Sequence, residues 1–202
     1  YLAADINLDK SYVIINNNKL NIPFNVLYYA YNILSAYTVC SLIGLDEKNI
    51  TTSINKIENN SKLNECYKYK NRCVYTMSNK NENSATFNQS VLFAKNQKGV
   101  KTIVIGWKEI SRRYEFNDMS WLYDIEFELL NKKNIDKVIC IGPEKYDIAT
   151  RIKYAGFDDK KIKVFSSLQE AKYTIKNKSK GDIYAILNFD YIKPFNDLMR
   201  RD

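Results

Sequence analysis

Four carboxylates and four large aromatics share one short run, Phe116-Asn117-Asp118-Met119-Ser120-Trp121-Leu122-Tyr123-Asp124-Ile125-Glu126-Phe127-Glu128. It follows a strand-like segment, Lys101–Gly106. A solvated loop has no use for a Trp, a Tyr and two Phe, and a plain core strand has none for Asp118, Asp124, Glu126 and Glu128. Aromatics of this kind can clamp a segment while its carboxylates stay presented at an edge. That arrangement suits catalysis or a partner surface.

The rest of the composition limits which chemistry. The chain contains no histidine, so a self-contained Ser-His-Asp or Cys-His device is impossible. Of its four cysteines, Cys40 lies in an apolar helix pattern and Cys140 in an apolar strand pattern, and both read as core residues. Cys66 and Cys73 have six residues between them, too wide for a zinc knuckle, and no metal site is predicted. The net charge of +8 comes from scattered Lys without a basic stripe interleaved with aromatics. A Lys- and Asn-rich coding bias accounts for it, and no nucleic-acid partner is expected.

At 202 residues, with 45% hydrophobic and 13% aromatic content, the chain can bury a core without staples. No apolar run reaches the ~20 residues of a membrane span, Val26–Leu45 being interrupted by Asn32, Ser35, Thr38 and Ser41. The chain opens at Tyr1 and reads as a segment of a longer protein.

Two regions must position the run. In the first, Tyr12–Ile15 and Lys19–Ile22 flank Asn16-Asn17-Asn18, a hairpin signal because Asn tolerates positive φ. Helical spacing then puts Ala30, Ile33, Leu34, Tyr37 and Cys40 on one face, with Gly44 as the stop. A second helix is predicted over Asp46–Glu58 with Ile50, Ile54 and Ile57 inward, and the polar Asn59–Lys62 marks a boundary between domains 1–60 and 61–202. Beyond it, strands are predicted at 65–70, 72–77, 102–105, 137–141, 161–165 and 182–187. Helices fall at 85–97, 144–155 and 168–177, the last opened by a capping box of Ser167 and Glu170. The alternation predicts an α/β domain with a mostly parallel sheet covered on both faces. Ligands of such sheets bind beyond the strands' carboxyl ends, where Gly106, Gly142 and Asn188 fall and from which the run departs.

Leu27-Tyr-Tyr-Ala-Tyr-Asn32-Ile-Leu-Ser-Ala36, with Gly44-Leu45 and Lys48-Asn49-Ile50, resembles the closing helices of the central ATPase domain of Mur ligases. Asp118-Met-Ser-Trp-Leu-Tyr-Asp124 with Phe127-Glu128, then Tyr146-Asp147-Ile-Ala149 and Arg151-Ile-Lys-Tyr-Ala-Gly156, resembles the carboxyl-terminal domain of the MurT family. The likeness covers roughly residues 20–200 and implies a Mur-ligase-like, Rossmann-like carboxyl-terminal domain, preceded by a hairpin and helices from the central domain. It implies the ligase-like subunit of lipid II isoglutaminyl synthase, which uses ATP and Mg to activate the D-glutamate α-carboxylate of the lipid II stem peptide. Ammonia then comes from a class I glutaminase partner, GatD, which works with Cys and His. The family's carboxyl-terminal domain docks that partner and supplies an Asp to its triad, matched here by Asp118 or Asp124. A cytoplasmic location is implied, at the inner membrane surface through the lipid-linked substrate.

Ser120, Trp121, Tyr123 and Arg151 are the expected partner contacts. The alternative for one of the acids is a helix cap or a pair with Arg112 or Arg113; for the Arg151, Lys153 and Tyr154 cluster it is a solvated face with Tyr154 inward. Asn32 and Asn88 remain as candidate ATP contacts, but the family pattern is broken around them. Val26 and Tyr29 stand where a Gly and an Asn are usual, and Asn83-Ser-Ala-Thr86-Phe-Asn88-Gln89 replaces an Asn-Pro-x-Gly-x-Asn-Gln stretch. Gly106-Trp107 replaces Asn-Asp, and Phe189-Asp190-Tyr191 replaces Thr-Tyr-Thr. The family's P-loop and zinc ribbon have no counterpart in these residues. The sequence therefore predicts a chain that holds a GatD-like partner better than it holds ATP. The second reading is a non-catalytic Mur-like scaffold or binding module.

Overall fold

A computed structural model describes residues 3–23, 26–57, 64–79, 83–107, 118–131 and 133–201. Asn59–Lys62, Arg112, Arg113, Phe116 and Asn117 lie outside the described residues. The chain forms two compact units, Tyr1–Asn60 and Ser61–Asp202, each with its own core.

In the first unit, β1 (Ala3–Asn7), β2 (Tyr12–Ile15) and β3 (Asn18–Asn21) make an antiparallel sheet. Ile15 pairs with Asn18, so Asn16 and Asn17 alone make the turn, with φ of 47° and 62°. Both central residues of such a tight hairpin need positive φ, which Asn accepts at low cost. α1 (Leu27–Leu42) and α2 (Glu47–Asn55) follow, α2 being capped by the Asp46 carboxylate, which accepts from Asn49 N at 3.1 Å. Val13, Ile15 and Leu20 of the hairpin close a core with Ala30, Ile33 and Tyr37 of α1 and Ile50 and Ile54 of α2. Ile57 departs from expectation: it is 59% exposed, because α2 stops at Asn55, short of the turn that would aim it inward.

The second unit carries a sheet of β4 (Asn64–Tyr69), β5 (Arg72–Asn79), β6 (Lys101–Gly106), β7 (Ile135–Ile141), β8 (Ile162–Phe165) and β9 (Asp182–Asn188). The strand order is β4-β5-β9-β6-β7-β8, with β4 antiparallel to β5 and every other pair parallel. The helices are α3 (Ser84–Asn96), α4 (Lys145–Tyr154), α5 (Leu168–Asn177) and α6 (Phe189–Arg200). Ala171 and Ile175 of α5 and Ile192, Phe195 and Met199 of α6 cover the face formed by Val104, Ile139, Ile183 and Ala185. Phe93 of α3 meets Tyr75 and Tyr184, which point to the opposite face. The sheet is thus buried on both sides, which is why β6 tolerates no exposed residue along its length. Even Lys101 is buried there, its ammonium donating to Lys95 O at 3.0 Å.

The predicted capping box differs in one respect. Ser167 Oγ accepts from Glu170 N at 3.2 Å, but the Glu170 carboxylate accepts from Ser166 N at 3.0 Å, one residue earlier than expected.

Gly142 joins β7 to α4 with φ of +98°, and a Cβ built there would stand 2.5 Å from Trp107 O and 3.0 Å from the Tyr191 hydroxyl. Gly142→Ala combines left-handed strain with that overlap and is expected to destabilise the protein by about 2–4 kcal/mol. A lowered urea midpoint with unchanged slope is the predicted signature; an unmoved midpoint contradicts it.

Candidate functional site

The acidic-aromatic run is described from Asp118 onward as two 3₁₀ turns, Ser120–Asp124 and Phe127–Leu130. Its buried residues explain that conformation. Leu122, Ile125, Phe127 and Leu130 are all essentially inaccessible, and plugs spaced at about three residues suit a three-residue turn. Ser120, Tyr123, Asp124, Glu126 and Glu128 are left facing solvent.

The aromatics divide between the two sides. Trp121 is half-buried, its ring centroid 5.2 Å from Phe87 of α3 and 5.2 Å from Trp107 at the end of β6. Phe87 and Trp107 meet edge-on at 5.6 Å, which completes a three-ring cluster beneath the run. Trp121 therefore packs inward, whereas Tyr123 is 61% exposed, its ring 5.9 Å from the Arg151 guanidinium.

Arg151 is where the structure departs most from expectation. Expected as a partner contact on the surface of α4, it is only 6% exposed. Its Nε donates to Leu122 O at 3.3 Å and its Nη2 to Ile125 O at 2.6 Å. Nη1 lies 2.8 Å and Nη2 3.0 Å from the two Glu128 oxygens, a bidentate pair. The planar five-donor fork can serve two carbonyls and a carboxylate at once; an ammonium cannot match that geometry. On the same helix, Lys153 pairs with Asp159 at 2.8 Å, and Tyr154, expected inward, is 74% exposed.

Asn88 of α3 is likewise committed elsewhere than expected. Its Nδ2 donates to Asp124 O at 3.0 Å and its Oδ1 accepts from Glu126 N at 2.7 Å. Each end of the amide thus makes one hydrogen bond to the run. Asn131, which no sequence pattern singled out, fastens the end of the run to the end of α4 by donating to Gly156 O at 3.1 Å.

The two candidate acids are both exposed but differ in their commitments. Asp118 Oδ1 accepts from Ser120 N at 2.9 Å, and hydrogen bonds from Ser120 hold its carboxyl below the usual range. The Asp124 carboxylate has no hydrogen-bond or ion-pair partner among the described residues, although its backbone is held by Asn88.

The positions matched to nucleotide contacts do not fit a nucleotide in this unit. Asn83 spends its carboxamide oxygen capping α3, accepting from Thr86 N at 2.9 Å. Gly106 is closed against Ile141, whose side chain would lie 2.3 Å from an added Cβ, and Trp107 is fully buried. Asn188, expected only as a strand end, is inaccessible to solvent at the carboxyl end of β9, its carboxamide without a partner among the described residues. Asn32, in the first unit, is exposed on α1 and lines a groove of about 250 Å³ with Asn21, Tyr29 and Ile57. Among the described residues no three Cys, Asp or Glu side chains converge on a metal position. Cys140 is a core residue, its thiol pushed up to about 12 by burial. No helix among the described residues is long and apolar enough to cross a membrane.

The chain has the fold of part of the Mur ligases. MurF from Acinetobacter baumannii matches with a TM-score of 0.72 at 17% identity, over 98% of this chain and 45% of that one. MurF ligase from Thermotoga maritima in complex with ADP matches with a TM-score of 0.62 at 16% identity, over 93% and 42%. Residues 81–191 match the family described as MurT ligase C-terminal, and the chain belongs to that family. The lipid II isoglutaminyl synthase (glutamine-hydrolyzing) subunit MurT of Staphylococcus aureus (strain COL) is 27% identical over 191 residues, 94% of this chain and 42% of that protein. The subunit of the same name from Streptococcus pneumoniae (strain ATCC BAA-255 / R6) is 22% identical over 203 residues, 97% of this chain and 43% of that protein. The chain thus spans less than half the length of these relatives.

Arg151 draws the Glu128 carboxyl below its ordinary range. A depressed folded value means stability that is complete above the unfolded pKa of about 4.3 and is lost as pH falls through the folded value. Glu128→Gln should therefore lower the urea midpoint at pH 7, by a small margin because the carboxylate is more than half exposed. The difference should shrink below about pH 4; one that stays constant down to pH 3 contradicts the assignment.

Proposed function

We propose that this chain serves in a glutamine-dependent amidotransferase of cell-wall synthesis. In this reading it docks a GatD-like class I glutaminase and presents Asp124 to that partner's histidine. The observation that carries the reading is the state of Asp124: an exposed carboxylate with no partner among the described residues, on a backbone anchored by Asn88, in a chain without histidine. A carboxylate that is solvent-facing yet fixed at its base suits recognition by a second protein. Asp118 suits the role less well, because Ser120 already occupies one of its oxygens.

The chemistry follows from elementary electrostatics. A carboxylate on the far nitrogen of an imidazole selects the tautomer whose other nitrogen faces the nucleophile, and it stabilises the imidazolium that forms. The names of the relatives support the pathway, since each is a subunit of a glutamine-hydrolysing lipid II isoglutaminyl synthase. The ammonia released would amidate the activated α-carboxylate of D-glutamate in the lipid II stem peptide, giving D-isoglutamine. ATP and Mg²⁺ would be held largely by parts of the protein beyond this chain, with Asn32 the residue here still open to contact.

In the assembled complex, Asp124→Asn is expected to reduce glutamine hydrolysis by roughly 10³–10⁴-fold, the scale of a lost triad carboxylate, with co-elution of the subunits retained. Asp118→Asn should cost far less. Unchanged turnover in Asp124→Asn with binding kept supports a purely scaffolding role instead. Separately, calorimetry of this chain alone with MgATP is expected to show no binding at micromolar concentrations; a micromolar Kd overturns the nucleotide part of the reading.

A further inference from the structure

We infer that Asn88 and Arg151 are positioning residues for the Asp124 carboxylate, a role that rests on the proposal that Asp124 is the acid offered to the partner. Four anchor points between residues 122 and 126 make the case. Arg151 takes the carbonyl of Leu122, Asn88 the carbonyl of Asp124, Arg151 the carbonyl of Ile125, and Asn88 accepts the N–H of Glu126. The two side chains come from different helices, α3 and α4, so they grip the turn from separate supports. Glu128 completes the grip by neutralising the buried guanidinium from within the same segment.

The polar anchors act on the backbone of the run, apart from its apolar packing. Leu122, Ile125, Phe127 and Leu130 already bury its apolar face. What the polar anchors add is definition of the peptide unit that follows Asp124 and of the units one step further out, 122–123 and 125–126. With no side-chain partner among the described residues, Asp124 takes its position from that backbone. Displacements of about 1 Å in a catalytic group cost on the order of 10²-fold in rate. The grip therefore sets how well the carboxylate meets an imidazole supplied from outside.

The test uses the full-length subunit assembled with its glutaminase and carrying Asn88→Ala, Arg151→Lys or Asp124→Asn. Glutamine hydrolysis is followed from about pH 6 to pH 10, with urea unfolding of each variant in parallel. Asn88→Ala and Arg151→Lys are expected to lower kcat by about 10- to 100-fold while KM for glutamine stays within about twofold. The basic limb of kcat/KM should move to lower pH, in the direction of Asp124→Asn. A poorly placed carboxylate holds the imidazolium proton less firmly, and a merely structural loss has no reason to move that limb. If Arg151→Lys fails to fold, Asn88→Ala decides the matter alone. Wild-type kcat and an unmoved limb in Asn88→Ala, beside a silenced Asp124→Asn, overturn the inference and leave the lent acid standing. An indifferent Asp124→Asn overturns the lent acid itself, and the inference with it.

Discussion

A guanidinium buried beneath a surface turn is the constraint on which the second unit's functional edge depends. Taking a cation out of water costs several kcal/mol unless acceptors replace the lost hydration. Arg151 finds them in two backbone carbonyls and one carboxylate, all from residues 122–128. The arrangement works in both directions. The charge requires the turn to sit where its carbonyls can be reached, and the turn gives otherwise unpaired carbonyls a donor. Removing either side leaves a buried polar group unsatisfied, so the α4 helix and the acidic turn behave as one piece.

The aromatic cluster fills the space beneath that piece. Phe87, Trp107 and Trp121 come from a helix, a strand end and the run, so the run cannot lift without exposing rings from all three. The cluster also occupies the carboxyl rim of β6, where an open α/β sheet usually keeps its crevice. Both indole Nε1 atoms there are buried without an acceptor, a cost the packing of three large rings evidently outweighs. The filled rim lies beside an exposed acid, Asp124.

Much of the architecture was legible because its signals are local. Continuous apolar runs ended by Gly106, Gly142 and Asn188 read as parallel strands, and the Asn16-Asn17-Asn18 run reads as a hairpin turn. α6 escaped notice because Pro194 sits inside it, yet the apolar spacing of Ile192, Phe195 and Met199 outweighs the one lost hydrogen bond. β1 escaped because Ala-Ala-Asp-Ile-Asn carries almost no strand preference and is held by pairing with β2. Ile57 misled because the four- and three-residue spacing of Ile50, Ile54 and Ile57 extends past the end of its helix. At the site, the run itself could be picked out by composition. The duties of Asn88 and Arg151 could not: an amide or a guanidinium on an amphipathic helix reads as solvent-facing. Only the fold brings residue 88 to residues 124–126 and residue 151 to residues 122–128.

The central claim concerns a proton that sits on another protein. Its most direct measurement is the pKa of the partner glutaminase's catalytic histidine, followed by ¹⁵N NMR of the labelled partner bound to this subunit, with Asp124 intact and as Asn. An opposite charge within reach of an imidazole typically moves it by about 1–3 units. The account predicts a fall of at least about one unit on Asp124→Asn in the intact complex; an imidazole that titrates identically against both forms contradicts it.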